Sequence, residues 1–151
     1  AKPTVAAPRK VPSALEGTVK AERERMQANG IIKRVTEPTD WVHPIAIIKK
    51  NDGNVRICLD PKKFNAAVIR QHYYIPVLEE LFARLNGSTV LSVLDAKSTF
   101  WQLALDKQRS FLCTFVTPWG RSRFLRVPFG LSTAPEQFQQ AIAQSLRVKT
   151  L

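Results

Sequence analysis

Two short apolar runs, residues 45–50 (IAIIKK) and 55–60 (VRICLD), stand on either side of Asn51-Asp52-Gly53-Asn54. No other feature constrains the fold of this chain as tightly. An Asp-Gly step between β-rich runs closes a tight turn, because glycine takes the positive φ that such a turn needs, so the two runs pair antiparallel. Alternation in the second run puts Val55, Ile57 and Leu59 on one face and Arg56, Cys58 and Asp60 on the other. One face is core, and the other presents an arginine and a carboxylate. Residues 110–117 and 122–127 predict a second hairpin, turned by Pro118-Trp119-Gly120-Arg121.

Helical signals flank these hairpins. Ser13-Ala14-Leu15-Glu16 has the pattern of a capping box, and Leu15, Val19 and Met26 follow at near-helical spacing up to Asn29-Gly30. Pro76 suits the first turn of a helix whose Leu78, Leu81, Phe82 and Leu85 form one stripe, ended by Asn86-Gly87. A second capping-box pattern, Thr133-Ala134-Pro135-Glu136, opens a final helix carrying Phe138, Ile142 and Leu146 inward and running on into residues 147–151. Residues 89–94 (TVLSVL) are β-branched and apolar and predict a buried strand that stops at Asp95. Residues 1–12 are Pro-rich, without periodicity, and predict an extended arm. Hairpins mixed with helices, without regular β-α-β alternation, give an α+β fold class.

The balance of charge narrows the function. With 23 Lys and Arg against 12 Asp and Glu, the net charge is +11. A domain this basic meets a polyanion, of which nucleic acid is the commonest. After Asp106 the only carboxylate side chain is Glu136, and no Asp-Asp pair occurs. No run of eighteen apolar residues exists, so no membrane span is expected, and no basic segment followed by an apolar one opens the chain as a secretion signal would. Cys58 and Cys113 share no metal-ligand or redox spacing and are expected to be small core thiols in a reducing compartment.

Asp95 poses the first chemical question. It ends an apolar run, where an ionised side chain needs solvent, a partner or a cation. Position alone leaves two readings open: a helix N-cap, or an oxygen ligand for Mg²⁺.

Three stretches taken together carry more. Residues 29–65 (NGIIKRVTEPTDWVHPIAIIKKNDGNVRICLDPKKFN), 91–106 (LSVLDAKSTFWQLALD) and 127–142 (VPFGLSTAPEQFQQAI) resemble, in order and spacing, the fingers and palm of reverse transcriptases. The closest likeness is to those of gypsy-type LTR retrotransposons and their retroviral relatives. The resemblance implies the fingers and partial palm of a right-hand polymerase over residues 13–151, with antiparallel hairpins packed against helices. The family signature R-x-C-x-D-x-x-x-L-N resembles Arg56-Ile57-Cys58-Leu59-Asp60 through Asn65, with Phe64 in place of Leu. It implies that Arg56, assisted by Lys49 or Lys50, lies over the triphosphate of an incoming dNTP. A planar guanidinium suits that task, since it bonds phosphate bidentately. From the residues alone, Arg56 reads as the partner of a carboxylate across the hairpin.

The first palm motif, roughly L-D-L-K-S-G-Y-H-Q-I, resembles Leu94 through Leu103. It implies that Asp95 is catalytic and binds Mg²⁺, that Ser98 and Thr99 border the nucleotide, and that Phe100 excludes a ribose 2′-OH. Thr99 stands where the family has a small residue. Phe129-Gly130-Leu131 through Ala134-Pro135 resembles F-G-L-x-x-A-P, which implies that Phe129 and Gly130 shape the nucleotide pocket.

One family feature does not occur. Two-metal phosphoryl transfer needs several converging carboxylates, and the family supplies two of them in a Y-x-D-D hairpin that this sequence does not contain. Glu79-Glu80 and Glu136 are not placed to substitute. The expectation is therefore a polymerase fragment, inactive alone, with an unpaired strand edge near Asp95. The resemblance implies an RNA or DNA template-primer, dNTP and the remainder of a polyprotein as partners, and a cytoplasmic (virus-like particle) or nuclear location. A non-catalytic, basic nucleic-acid-binding remnant is the alternative reading.

Overall fold

The computed structural model describes residues 2–146. The hairpin read from Asp52-Gly53 is present. Strands β2 (Ile45–Lys49) and β3 (Val55–Leu59) pair antiparallel, with Ile45 opposite Leu59, Ile47 opposite Ile57 and Lys49 opposite Val55. Gly53 takes φ +83 in the turn, a conformation that costs glycine nothing. Val55, Ile57 and Leu59 are buried as the alternation requires, and Arg56 is exposed. Cys58, on the other face, is buried too, as a core thiol is, so the second face of β3 is covered except at Arg56.

A second sheet has the order β1-β5-β4, all antiparallel. It comprises β1 (Ile32–Arg34), β4 (Thr114–Thr117) and β5 (Gly120–Phe124). The two sheets meet where His43, just before β2, bridges Phe115 in parallel; its N–H donates to Thr114 O at 2.9 Å and its carbonyl accepts from Val116 N at 3.0 Å. Helix α1 (Glu16–Ala28) lies against β1 and β3 and buries Val19 and Met26 completely. Phe115 and Phe124 pack with ring centroids 5.0 Å apart, beside Ile32, Val55 and Ile57. Burial of each such side chain contributes about 1.5–3 kcal/mol relative to exposure. Cys58 and Cys113 are both buried and free, as expected, and burial pushes the Cys113 thiol up to about 12.

Several expectations are corrected. Residues 110–112 do not begin a strand; they close helix α4 (Lys107–Leu112), whose N-terminus is capped by Asp106 accepting from Arg109 N at 2.7 Å. A capped stretch poor in β-branched residues winds more readily than it extends, so the strand waits for Thr114. Neither capping-box pattern makes its side-chain bond. Residues Ser13–Leu15 form a 3-10 turn ahead of α1, and Thr133 caps the final helix, α5 (Ala134–Ser145), without a side-chain hydrogen bond. Phe138 and Ile142 are half-buried but Leu146 is exposed. The expected continuation of α5 into residues 147–151 lies outside the described residues. Helices α2 (Lys62–Ala67) and α3 (Leu78–Leu85) complete the set, α3 starting two residues after Pro76.

The largest correction concerns residues 89–94, which form no strand. No partner strand lies beside them among the described residues, and Val90, Val93 and Leu94 are more than 80% exposed. A strand exists only through its ladder bonds, so β propensity alone leaves an extended chain. The apolar stripe of α3 is exposed with them. The arm makes more contacts than its composition suggests: Val5 bridges Val42 in parallel, Val11 is buried, and Arg9 pairs with Asp60 at 2.6 Å.

Candidate functional site

Strand β3 positions the site. Arg56, pointing away from the core, lays its guanidinium 4.6 Å from the ring centre of Phe129. Its cross-strand neighbour is Ile48, and no carboxylate pairs with it among the described residues. Phe129 is held in turn by backbone: its carbonyl accepts from Leu59 N at 2.8 Å. The chain then turns so closely on β3 that a Cβ on Gly130 would lie 1.9 Å from Leu59 O, and Gly130 takes φ +110. Only glycine satisfies both demands. Asn65 staples the turn from α2, donating Nδ2 to Gly130 O at 2.9 Å and accepting from Ser132 N at 3.0 Å.

Asp95 reaches the same place from the other side. After it the chain makes a braced turn. Ser98 takes the left-handed conformation (φ 51, ψ 45), the Thr99 hydroxyl donates to Ala96 O and the Gln102 amide to Lys97 O, both at 2.9 Å. A non-glycine residue there costs free energy that the surrounding bonds must offset. The 3-10 turn Thr99–Gln102 follows and seats Phe100 and Trp101 against Phe129, with centroids 4.9 and 6.1 Å away.

The result is an open cleft of about 530 Å³ that brings together Asp95, Ser98, Thr99, Arg56, Lys50 and Phe129. Lys49, Phe100 and Gly130 are not among the side chains lining it. Lys49 sits one residue earlier on β2, Phe100 packs behind Phe129 toward Phe138, and Gly130 faces Leu59. Of the two lysines left open by the sequence, Lys50 is therefore the one in the cleft. The cleft also holds Glu22, Arg25, Lys97 and Trp101, which sequence reasoning missed. The first two lie on α1, over thirty positions before Arg56, and only the packing of α1 against β3 brings them here.

The cleft can hold an anion in a polar, cation-lined space, with an aromatic plate below. As a divalent metal centre it is incomplete among the described residues. Among the described residues no three His, Cys, Asp or Glu side chains converge, and of the carboxylates in the cleft Glu22 is committed to Arg25 at 2.7 Å. Asp95 alone remains, and Mg²⁺, which takes one or two carboxylates together with phosphate oxygens and waters, would find one of its donors there.

Known proteins share this framework. A family profile described as reverse transcriptase (RNA-dependent DNA polymerase) matches residues 48–149. The uncharacterized protein K02A2.6 of Caenorhabditis elegans is 37% identical over 135 residues, which are 87% of this chain and 10% of that protein. The transposon Tf2-3 polyprotein of Schizosaccharomyces pombe is 34% identical over 99 residues, 66% of this chain and 7% of the polyprotein. This chain thus spans a small part of the relatives it matches. In structure, the foamy viral protease-reverse transcriptase in complex with an RNA/DNA hybrid superposes over 97% of this chain and 20% of its own, with a TM-score of 0.78 at 14% identity. That likeness shows the fold: mixed helices and antiparallel strands of the fingers and palm region. The motifs and the profile then agree over the same residues, and the chain belongs to the reverse transcriptase family.

Proposed function

We propose that this chain is the nucleotide-binding fingers and palm portion of an RNA-directed DNA polymerase that extends a primer with dNTP. The observation that carries the reading is Arg56, a cation without a carboxylate partner among the described residues, stacked on Phe129 in the cleft that also holds Asp95 and Lys50. In the complete enzyme the primer 3′-OH would attack the α-phosphate of the dNTP and release pyrophosphate. Arg56 and Lys50 would hold the triphosphate by charge-assisted bonds, Phe129 would fix the arginine, and the braced turn at Ser98-Thr99 would border the sugar. Phe100 reaches the sugar only through its packing on Phe129, as the wall behind it. Two Mg²⁺ ions belong to this proposal for the complete polymerase alone: Asp95 would give them one carboxylate, and the other donors would come from outside the described residues.

The partners follow from the same reading. The +11 charge suits a template-primer duplex, and a structural neighbour is known with an RNA/DNA hybrid. The remainder of a polyprotein would complete the enzyme, in a cytoplasmic particle or the nucleus, and the 151-residue chain alone would bind the duplex without extending it.

Primer extension on an RNA template by the polyprotein containing this chain, wild type against Asp95→Asn, tests the assignment. Incorporation is expected to vanish in the variant while hybrid binding persists. Undiminished incorporation by Asp95→Asn would overturn the site.

A further inference from the structure

The cleft beside Asp95 does not end at α1. Glu22, Arg25, Lys50, Lys97 and Ser98 line both that cleft and a second cavity of about 500 Å³, which runs on to the β2–β3 turn. Around the first cleft four cations, Arg25, Lys50, Arg56 and Lys97, stand against two carboxylates, Glu22 and Asp95. In the second, Asp52 is turned onto its own loop, accepting from the backbone and side-chain amides of Asn54 at 3.0 and 2.9 Å. Helix α1, which brings Arg25, lies outside the residues matched by the family profile.

Arg25 is held ready in this double cleft. Glu22, nearly one turn earlier, accepts from its Nε at 2.7 Å and its Nη2 at 2.8 Å. The carboxylate is the buried partner: its side chain is 13% exposed and that of Arg25 is 54%. Glu22 therefore lies beneath the guanidinium, and the remaining N–H groups of Arg25 have no acceptor among the described residues. A fork fixed in this way loses less freedom on meeting a phosphate than a free lysine does. Lys50 and Lys97 stand across from it with no carboxylate partner among the described residues.

We propose that Arg25, Lys50 and Lys97 form a landing site for the terminal phosphates of the nucleotide and for the pyrophosphate released from it, with Glu22 as the positioning residue that holds the Arg25 fork. The proposal rests on the nucleotide reading of the Asp95 cleft and extends it onto α1. No covalent step is involved; the site binds a di- or triphosphate.

The test is calorimetric titration of inorganic tripolyphosphate into the 151-residue chain, with a melting curve recorded for every variant. Loss of a charge-assisted contact is expected to weaken binding about tenfold in Arg25→Gln. Lys97→Gln, in an exposed turn, should weaken it comparably, and Arg25→Lys should fall between wild type and Arg25→Gln. Glu22→Gln should lower affinity severalfold with the melting temperature held, which a purely structural role for Glu22 would not do. Pyrophosphate and dTTP should each displace the tripolyphosphate. Displacement by a DNA duplex but not by dTTP would mean that the wall reads strand backbone, and would overturn the proposal. If Arg25→Gln and Lys97→Gln bind as wild type while Arg56→Gln weakens, the α1 site fails and the Asp95 cleft stands. If Arg56→Gln also binds as wild type, the nucleotide reading falls with it.

Discussion

Gly130 is the residue whose identity the structure dictates most strictly. A Cβ there would lie 1.9 Å from Leu59 O at a φ of +110, and the obstacle is backbone of β3 rather than a side chain that can swing away. Gly130→Ala is expected to cost at least about 2 kcal/mol, read as a lower urea midpoint, and to free Arg56 from Phe129. His43 supports a second expectation. It is 4% exposed, donates from Nε2 to Leu112 O at 2.9 Å and stacks on Trp41. Burial pushes its pKa below the ordinary 6.5. The unfolded chain takes up a proton near that value while the folded chain still resists it, so stability is present above this window and is lost as pH falls from about 6.5 through the folded value. Denaturation followed down to about pH 5 should show that loss, and His43→Gln should flatten it. The sequence pointed to Arg56, Phe129 and Gly130 because each sits in a short pattern. It could not show that Glu136 leaves its apparent capping box to pair with Arg70 at 2.6 Å, or that Asp60 pairs with Arg9. Those partners lie 66 and 51 positions away, and no local spacing encodes them.

At the level of elements, what survived from sequence to structure was whatever carried its own partner. The β2–β3 hairpin contains both strands and the turn between them, so its register follows from Asp52-Gly53 and from alternation. Helix α1 was legible from its apolar spacing and its stop at Gly30. Strand β1 was missed because three residues show no period, and its pairing with β5 is long-range. The second half of helix α4, residues 110–112, was read as the start of a strand because the helix's signal is a single cap. That cap is testable: Asp106→Ala should cost about 1 kcal/mol, seen as a lower thermal midpoint, whereas Asp106→Asn should keep most of the stability because its side chain still accepts from Arg109 N. Residues 89–94 show the converse. Their composition is that of a strand, yet composition supplies no hydrogen-bond partner, and they stand exposed beside α3.

The whole molecule divides accordingly into a consolidated part and a part that presents unburied apolar surface. The first contains both sheets, α1 and the cluster around Phe115, Phe124, Ile57 and Met26. The second runs through residues 69–94, where Ile69, Val77, Leu78, Phe82, Val90 and Val93 are all exposed. So many large apolar side chains left exposed in one segment are uncommon on a soluble monomer. Backbone protection should follow the same division, because amides exchange slowly only where ladder or helix bonds are sheltered by packing. Hydrogen exchange of the isolated chain is therefore expected to protect β2, β3, β4 and β5 and the inner face of α1, while residues 89–96 exchange at the rate of an open chain. Asp95 lies in that unprotected stretch, yet the turn just after it is braced by Thr99 and Gln102. Protection should accordingly rise sharply past Ser98. Uniformly fast exchange through β2–β5 would mean that the hairpins need a covering surface before they form at all. The cleft would then be assembled with its partner, and the +11 charge would meet nucleic acid only in that complex.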